Sequence, residues 1–360
     1  MLDGKKLSTY NKTHMTPEHS AGGIRIHQTR TVGGYRNSPV WKKLNEHYTN
    51  FRTQVTIAEA FTRRSVGLND GACRIIPAKS DCTYCIIGDV HGEFETLLNI
   101  ICHARTVITG QLHFILLGDC IDRGEGDFAV LALIQDSLLG RNRDEFTLTY
   151  LCGNHDFAVD MMPNGYFYSA VSPADTTNHL NTLSKSGHAS DALLLGKAVM
   201  ELARTSPYVA ELVWGQQQES AFLLAHAAPP HTDNQQQLRA LYSGKNCHNL
   251  YTDLPTDLLY PCRDDLMRGI LRMQQMRVAP NRGFLATAQG TEDAADYFDL
   301  HRELTGRRII GMFRGHDHVA HGGSITPTRN AFICTLNAMG AGNTTVAHWQ
   351  PGLPITLYSF

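Results

Sequence analysis

The sequence predicts an α/β fold, a central β-sandwich of mixed sheets flanked by helices. Three observations point there. Short apolar strands alternate with helical segments from Tyr84 to Leu151, a polar run closes each of those strands, and further apolar strands recur toward the C-terminus. With 360 residues, 42% of them hydrophobic, the chain can bury the core of one large domain or two modest ones.

Residues 1–70 are polar and mixed, and read as an N-terminal arm or accessory segment; residues 71–360 form the main domain. Within the arm, Val40 to Arg63 reads as an amphipathic helix with Leu44, Tyr48, Phe51, Val55, Ile57 and Phe61 at its apolar positions. The arm either packs on the main domain or docks a protein partner. Tyr84–Ile87 is a strand followed by a helix over Phe94–Val107. Phe114–Leu117 is the next strand, its helix runs from about Phe128 to Leu139, and Phe146–Leu151 is a third strand. This βαβαβ order implies a largely parallel sheet with helices on both faces, whose ligands gather at the carboxyl ends of the strands. Residues 160–205 read as a mostly helical insertion, clearest over Ala192–Ala203. Ala221–Ala225 is a buried strand ended by His226. Residues 229–280 form a loop-rich insertion with a short helix at Asp264–Met276. Arg307–Phe313 is a strand entering Gly315-His316-Asp317-His318, and Ala331–Cys334, Thr345–Ala347 and Ile355–Leu357 are closing strands that suggest a second sheet.

Bulk properties exclude several classes of partner. A net charge of −2 and a pI near 6.8 provide no basic field for nucleic acid and no polybasic tract for anionic lipid. No apolar run reaches the roughly 18 residues of a membrane span, and no apolar run follows Met1–Lys6, so a cleaved signal peptide is not expected. Nine scattered cysteines fit a reducing compartment, the cytoplasm or another. A bacterial effector translocated into another cell would need no conventional signal peptide, and that origin stays open. Cys82 and Cys85 have redox or zinc spacing but no second pair, so they read as two strand-edge thiols. Most of the eighteen histidines, among them His14, His47, His188 and His321, read as surface or packing residues.

The strand-end runs carry the chemistry. They are Gly88-Asp89-Val90-His91-Gly92, Gly118-Asp119 through Asp122-Arg123-Gly124, and Gly153-Asn154-His155-Asp156. Hydrolysing a phosphate ester at neutral pH needs a strong nucleophile and positive charge on the phosphoryl oxygens. Two divalent ions about 3.5–4 Å apart meet both needs, with a bridging hydroxide placed for in-line attack. Asp89 and His91 can chelate one ion, Asp119 can bridge, and Asn154, His226 and His316 can complete the second. Any one of these has an ordinary explanation as a turn or structural residue. Six at successive strand ends do not.

These runs resemble the signature of the calcineurin-like metallophosphoesterases, and Asp122-Arg123-Gly124 is similar to the phosphoprotein phosphatase (PPP) form of it. The resemblance extends from about Tyr84 to Asn337. It takes in Ser206-Pro207-Tyr208-Val209, the strand ending at His226, and Asn281-Arg282-Gly283-Phe284. It implies a first metal on Asp89, His91 and Asp119 and a second on Asp119, Asn154, His226 and His316. It also implies His155 as the general acid with Asp122 hydrogen-bonded to it, and Arg123 and Arg282 as phosphate-binding arginines. For Arg282 a surface salt bridge remains the alternative. Gly315-His316-Asp317-His318 resembles the Gly-His-x-His of the wider superfamily, in which the second histidine also binds the first metal, so His318 is either a ligand or a pocket-lining residue. The chain departs from the PPP pattern at Asp156, where Glu is usual, and at Ala227-Ala228, where two glycines are usual. It also shows no aromatic residue around Leu336-Asn337-Ala338.

The expectation is therefore a dinuclear phosphatase of phosphate monoesters on phosphoproteins, at Ser/Thr or also Tyr. Mn is the first expected metal, with Fe and Zn also admitted by mixed His, Asp and Asn ligands. Its rivals are a dinucleoside polyphosphate hydrolase or other small-phosphoester hydrolase and, from another class, an inactive binding or scaffold protein that keeps the fold.

Overall fold

The computed structural model of the protein describes residues 26–28, 35–53, 73–207, 209–227, 288–317, 323–340 and 344–360. The strands are β1 (Ile26–Gln28), β2 (Cys73–Pro77), β3 (Cys82–Ile87), β4 (Gln111–Leu116), β5 (Thr147–Tyr150), β6 (Val159–Met161), β7 (Phe167–Ser169), β8 (Val209–Trp214), β9 (Ser220–Ala225), β10 (Arg308–Arg314), β11 (Gly323–Pro327), β12 (Phe332–Leu336), β13 (Thr345–Trp349) and β14 (Ile355–Ser359). The helices are α1 (Pro39–Thr53), α2 (Phe94–Val107), α3 (Asp127–Leu138), α4 (Asn154–Ala158), α5 (Asp175–Lys185), α6 (Ala189–Thr205) and α7 (Ala288–Thr305).

Two six-stranded sheets form the sandwich. The first runs β1-β14-β13-β3-β4-β5 and the second β11-β12-β10-β9-β8-β2. In the first, β3, β4 and β5 pair in parallel, with Cys85 opposite Phe114 and Ile115 opposite Thr149. In the second, β9, β10 and β12 pair in parallel. Each sheet is mixed, because β13 joins β3, and β8 joins β9, antiparallel.

Period-two alternation sends successive strand residues to opposite faces. Ile86 and Ile115 meet Phe222, Leu224 and Phe313 between the sheets, while Cys85, Ile87, Phe114 and Leu116 turn outward onto α2 and α3. On the far side of the second sheet, Leu223, Ile309 and Met312 pack under Tyr297 and Leu300 of α7. Each such side chain removed from water contributes about 1.5–3 kcal/mol. The expectation of helices on both faces of one sheet is thus corrected. The inner face of the parallel strands is covered by the second sheet, and helices lie outside. The same alternation separates Cys82, between the sheets, from Cys85, under the helices; both are free thiols.

Other expectations shift locally. The 160–205 insertion is not wholly helical, since β6 and β7 form an antiparallel hairpin before α5 and α6. The arm helix is described to Thr53, with Leu44 and Tyr48 packed in the core and the Tyr48 hydroxyl donating to Asp136 Oδ2 at 3.0 Å. Its expected remainder to Arg63, the loop-rich 229–280 segment and the Asp264–Met276 helix lie outside the described residues. No helix among the described residues is long and apolar enough to cross a membrane.

A second buried polar group sits away from the strand ends. Glu211 of β8 is fully buried and accepts from His301 Nε2 of α7 at 2.8 Å and from the Arg307 guanidinium. Burial alone would raise the Glu211 pKa, but the hydrogen bond and charge of His301 and the charge of Arg307 hold it below its ordinary value.

Candidate metal centre

The loops leaving β3, β4, β5, β9 and β10 converge at one rim of the sandwich. Backbone hydrogen bonds lace them together: Val90 and His91 donate to the Asp119 carbonyl at 3.0 and 2.8 Å, and Gly315 donates to the His226 carbonyl at 2.9 Å. Gly153 lets the β5 loop cross tightly under Asp119, since a Cβ there would overlap Asp119 N and Oδ1. Among the described residues, six non-glycines have positive φ, and five of them lie here: His91, Asp119, Asp122, Arg123 and His316. Left-handed backbone at such residues costs of order 1–3 kcal/mol each and persists only where surroundings enforce it. Strain is therefore concentrated at this rim.

The buried side chains form two overlapping donor sets. His91 Nδ1–H donates to the Ile121 carbonyl at 2.9 Å, which leaves its Nε2 bare, buried and without a hydrogen-bond partner. That nitrogen lies 3.7 Å from Asp89 Oδ2 and 3.9 Å from Asp119 Oδ2. In the second set, His226 Nδ1–H donates to the Leu117 carbonyl at 3.0 Å. Its Nε2 then faces Asn154 Oδ1 at 2.9 Å, Asp119 Oδ2 at 3.2 Å and His316 Nδ1 at 3.2 Å. Asp119 Oδ2 belongs to both sets, while its Oδ1 accepts from the His155 backbone N–H at 2.8 Å.

With neutral rings these sets would turn lone pairs toward lone pairs, which positive charge, a proton or a cation, must relieve. The pKa values show the demand. Burial works against a charged His226, yet the adjacent Asp119 and Asp89 carboxylates raise it to about 9. Burial, and to a lesser degree the Asp119 charge, raises the Asp89 carboxyl; burial lowers His91 to about 4. The orphaned His91 nitrogen and this mixed O/N donor set fit divalent cations. Asp89, His91 and Asp119 could hold one ion, and Asp119, Asn154, His226 and His316 a second. Carbonyls on the far nitrogens of His91 and His226 fix their tautomers for that role.

Beside these sets, His155 Nδ1–H donates to Asp122 Oδ2 at 2.7 Å, and both residues are buried. Burial tends to lower the His155 pKa, but the Asp122 hydrogen bond and the Asp119 and Asp122 charges outweigh it and raise it. Arg123 is exposed at the rim, and its charge is felt at Asp89, His91 and His155. Asp156, the departure from Glu, has a backbone-linking role. Its carboxylate accepts from Cys120 N and Gly153 N, each at 2.8 Å, tying two strand-end loops.

Asp89, His91, Asp119, Asp122, Asn154, His155, His226 and His316 are thus gathered at one rim. Arg282 and His318 lie outside the described residues. The sequence reading did not single out Arg314, whose guanidinium pairs with Asp317 at 2.7 Å beside His316, nor Asp175 and Thr176 of α5, which bond to the Asp122-Arg123 segment. Arg314 adjoins the Gly315–His318 motif that contains Asp317, whereas Asp175 and Thr176 had no local signal.

A profile of the calcineurin-like phosphoesterases matches residues 83–320. The chain belongs to that family. Members work with a dinuclear divalent-metal centre, in keeping with the donor sets above. The phosphoesterase also aligns with the structure of a protein serine/threonine phosphatase from Saccharomyces cerevisiae with similarity to human phosphatase PP5. The TM-score is 0.52 at 13% identity, over 86% of this chain and 90% of that one, which establishes a shared fold. The cold-active protein-tyrosine phosphatase of a psychrophile Shewanella aligns at TM-score 0.44 and 14% identity, over 80% and 82% of the two chains. No curated protein matches the sequence.

Proposed function

We propose that this phosphoesterase is a dinuclear metal-dependent phosphatase acting on phosphate monoesters of phosphoproteins. The observation that carries the reading is the buried Asp122–His155 pair set against the Asp119-centred donor sets, because a monoesterase needs an acid for its leaving oxygen as well as charge for its phosphoryl group. Two divalent ions, Mn first among them, supply when bound the charge against the phosphoryl oxygens and a nucleophile active at neutral pH.

The protein's own residues do the rest. Asp122 holds the His155 ring by Nδ1, so Nε2–H is free to pass its proton to the leaving oxygen as the P–O bond breaks. Arg123, at the exposed edge, orients the phosphate by paired N–H donors, and Arg282 has the same role on the strength of its Arg-Gly segment. Asp89, His91, Asp119, Asn154, His226, His316 and His318 are the proposed ligands. The Asp122-Arg123-Gly124 form, similar to that of the PPP family, supports a phosphoprotein substrate. Free thiols at Cys82, Cys85, Cys102, Cys120, Cys152 and Cys334 support work in a reducing compartment.

The test is a substrate panel with Mn added: phosphoserine, phosphothreonine and phosphotyrosine peptides beside diadenosine tetraphosphate, with wild type and Arg282→Ala. Phosphate release from peptides, lost in Arg282→Ala through a raised KM, is expected. Dominant nucleotide cleavage would overturn the substrate assignment, and no turnover of p-nitrophenyl phosphate by metal-loaded protein would make it a binding protein.

A further inference from the structure

Asp122 and Arg123 form a two-residue segment with φ of 67° and 73°, a conformation that neither side chain favours. The first turn of α5, some 50 residues further along the chain, grips this segment. Thr176 N–H donates to Asp122 Oδ1 at 2.9 Å, and Asp122 N–H donates back to Thr176 Oγ1 at 3.2 Å. The same hydroxyl donates to Asp127 Oδ2 at 2.5 Å, and Arg123 N–H donates to Asp175 Oδ2 at 3.1 Å. Thr176 is fully buried.

The two Asp122 oxygens are divided between two tasks. Oδ2 takes the His155 ring and Oδ1 takes the α5 backbone. The carboxylate plane is therefore set by α5, and the imidazole follows the carboxylate. The Thr176 hydroxyl accepts from Asp122 and donates to Asp127, so it fixes the Asp122 backbone against the start of α3. A hydroxyl is the one small group that can do both at once.

We infer that Thr176, with Asp175 beside it, is a positioning residue for catalysis: the inserted helix α5 aims the Asp122 carboxylate and, through it, the His155 proton donor. This rests on the reading of His155 as the general acid. A group that aims an acid matters most when the leaving group is poor, and a residue that merely supports the fold does not distinguish leaving groups.

The experiment compares kcat on phenyl phosphate, a poor leaving group, with kcat on p-nitrophenyl phosphate, a good one. It uses the metal-loaded wild type, Thr176→Val, Thr176→Ser and His155→Asn. Valine keeps the branched shape and removes only the hydroxyl. Thr176→Val is expected to lose about tenfold more on phenyl phosphate than on p-nitrophenyl phosphate, with KM and bound metal unchanged, and Thr176→Ser to recover most of it. Equal losses on both substrates in Thr176→Val, beside an unequal loss in His155→Asn, overturn the positioning role alone. Equal losses in His155→Asn overturn the acid assignment and the inference with it. Should Thr176→Val not fold, Asp175→Ala at the exposed side of the turn takes its place. There an unequal loss of about threefold is expected, and an equal one counts against the proposal.

Discussion

The protein buries two polar constellations, and they are built on opposite rules. At Glu211 a carboxylate meets an imidazole and a guanidinium, so the charges are paired within the protein. At the strand ends Asp89, Asp119, Asn154, His91, His226 and His316 crowd oxygen and nitrogen donors together with no arginine or lysine among them, and the His91 nitrogen is left bare. The first joins α7 to the second sheet and needs nothing from outside. The second is completed only by added positive charge. Burial alone therefore does not mark a functional site; the sign of what is left over does.

That contrast can be broken from either side. The largest expected effect is on turnover: His155→Asn should lower kcat by about 10²–10⁴ on a monoester with a poor leaving group, leaving the melting temperature close to wild type. Steady-state kinetics and calorimetry on the same preparation read both. Glu211→Ala should do the reverse, costing about 3–5 kcal/mol of stability because it removes the buried carboxylate that His301 and Arg307 share, while kcat of the folded fraction is retained. Urea unfolding followed by activity at low denaturant checks it.

A smaller effect should come from metal. Mn at about one hundred times its Kd should stabilise the folded state by roughly 2.7 kcal/mol, reversed by a chelator. The increment should survive in Glu211→Ala and shrink in Asp119→Asn. Thermal melts at several Mn concentrations would show whether the two constellations are independent.

The smallest effect concerns acid. The folded Glu211 pKa lies below its unfolded value of roughly 4.3, so its contribution is fully present above that pH and is lost as pH falls through the folded value. Between about pH 5 and 3, wild type should therefore lose stability more steeply than Glu211→Gln in chelator-treated protein. Parallel curves would remove Glu211 from the acid response.

Much of the site was legible because its residues are local to strand ends. Asp89 and His91 sit two positions apart, Asn154 and His155 are adjacent, and His226 and His316 each terminate an apolar run. The parallel order β3-β4-β5 was legible for the same reason, from strands spaced by one helix each. Contacts between distant segments were not. Glu211 finds His301 across 90 residues and Arg307 across 96, and Thr176 finds Asp122 across 54. No periodicity links such positions. The βαβαβ order alone points to helices on both faces because a strand buried on both sides looks alike whether a helix or a second sheet lies against it, and it was the closing strands that pointed to the sandwich.

Gly153 has a consequence for which substitutions the rim tolerates. Every replacement brings a Cβ, and that atom would overlap the backbone nitrogen and carboxylate of Asp119. The position is a dead end for variation, since even the smallest step displaces the group shared by both donor sets. Asp156 reinforces the same crossing, since its carboxylate accepts from the backbone N–H of Gly153 on one loop and of Cys120 on the other. The spacing within the rim is thus set by a missing carbon.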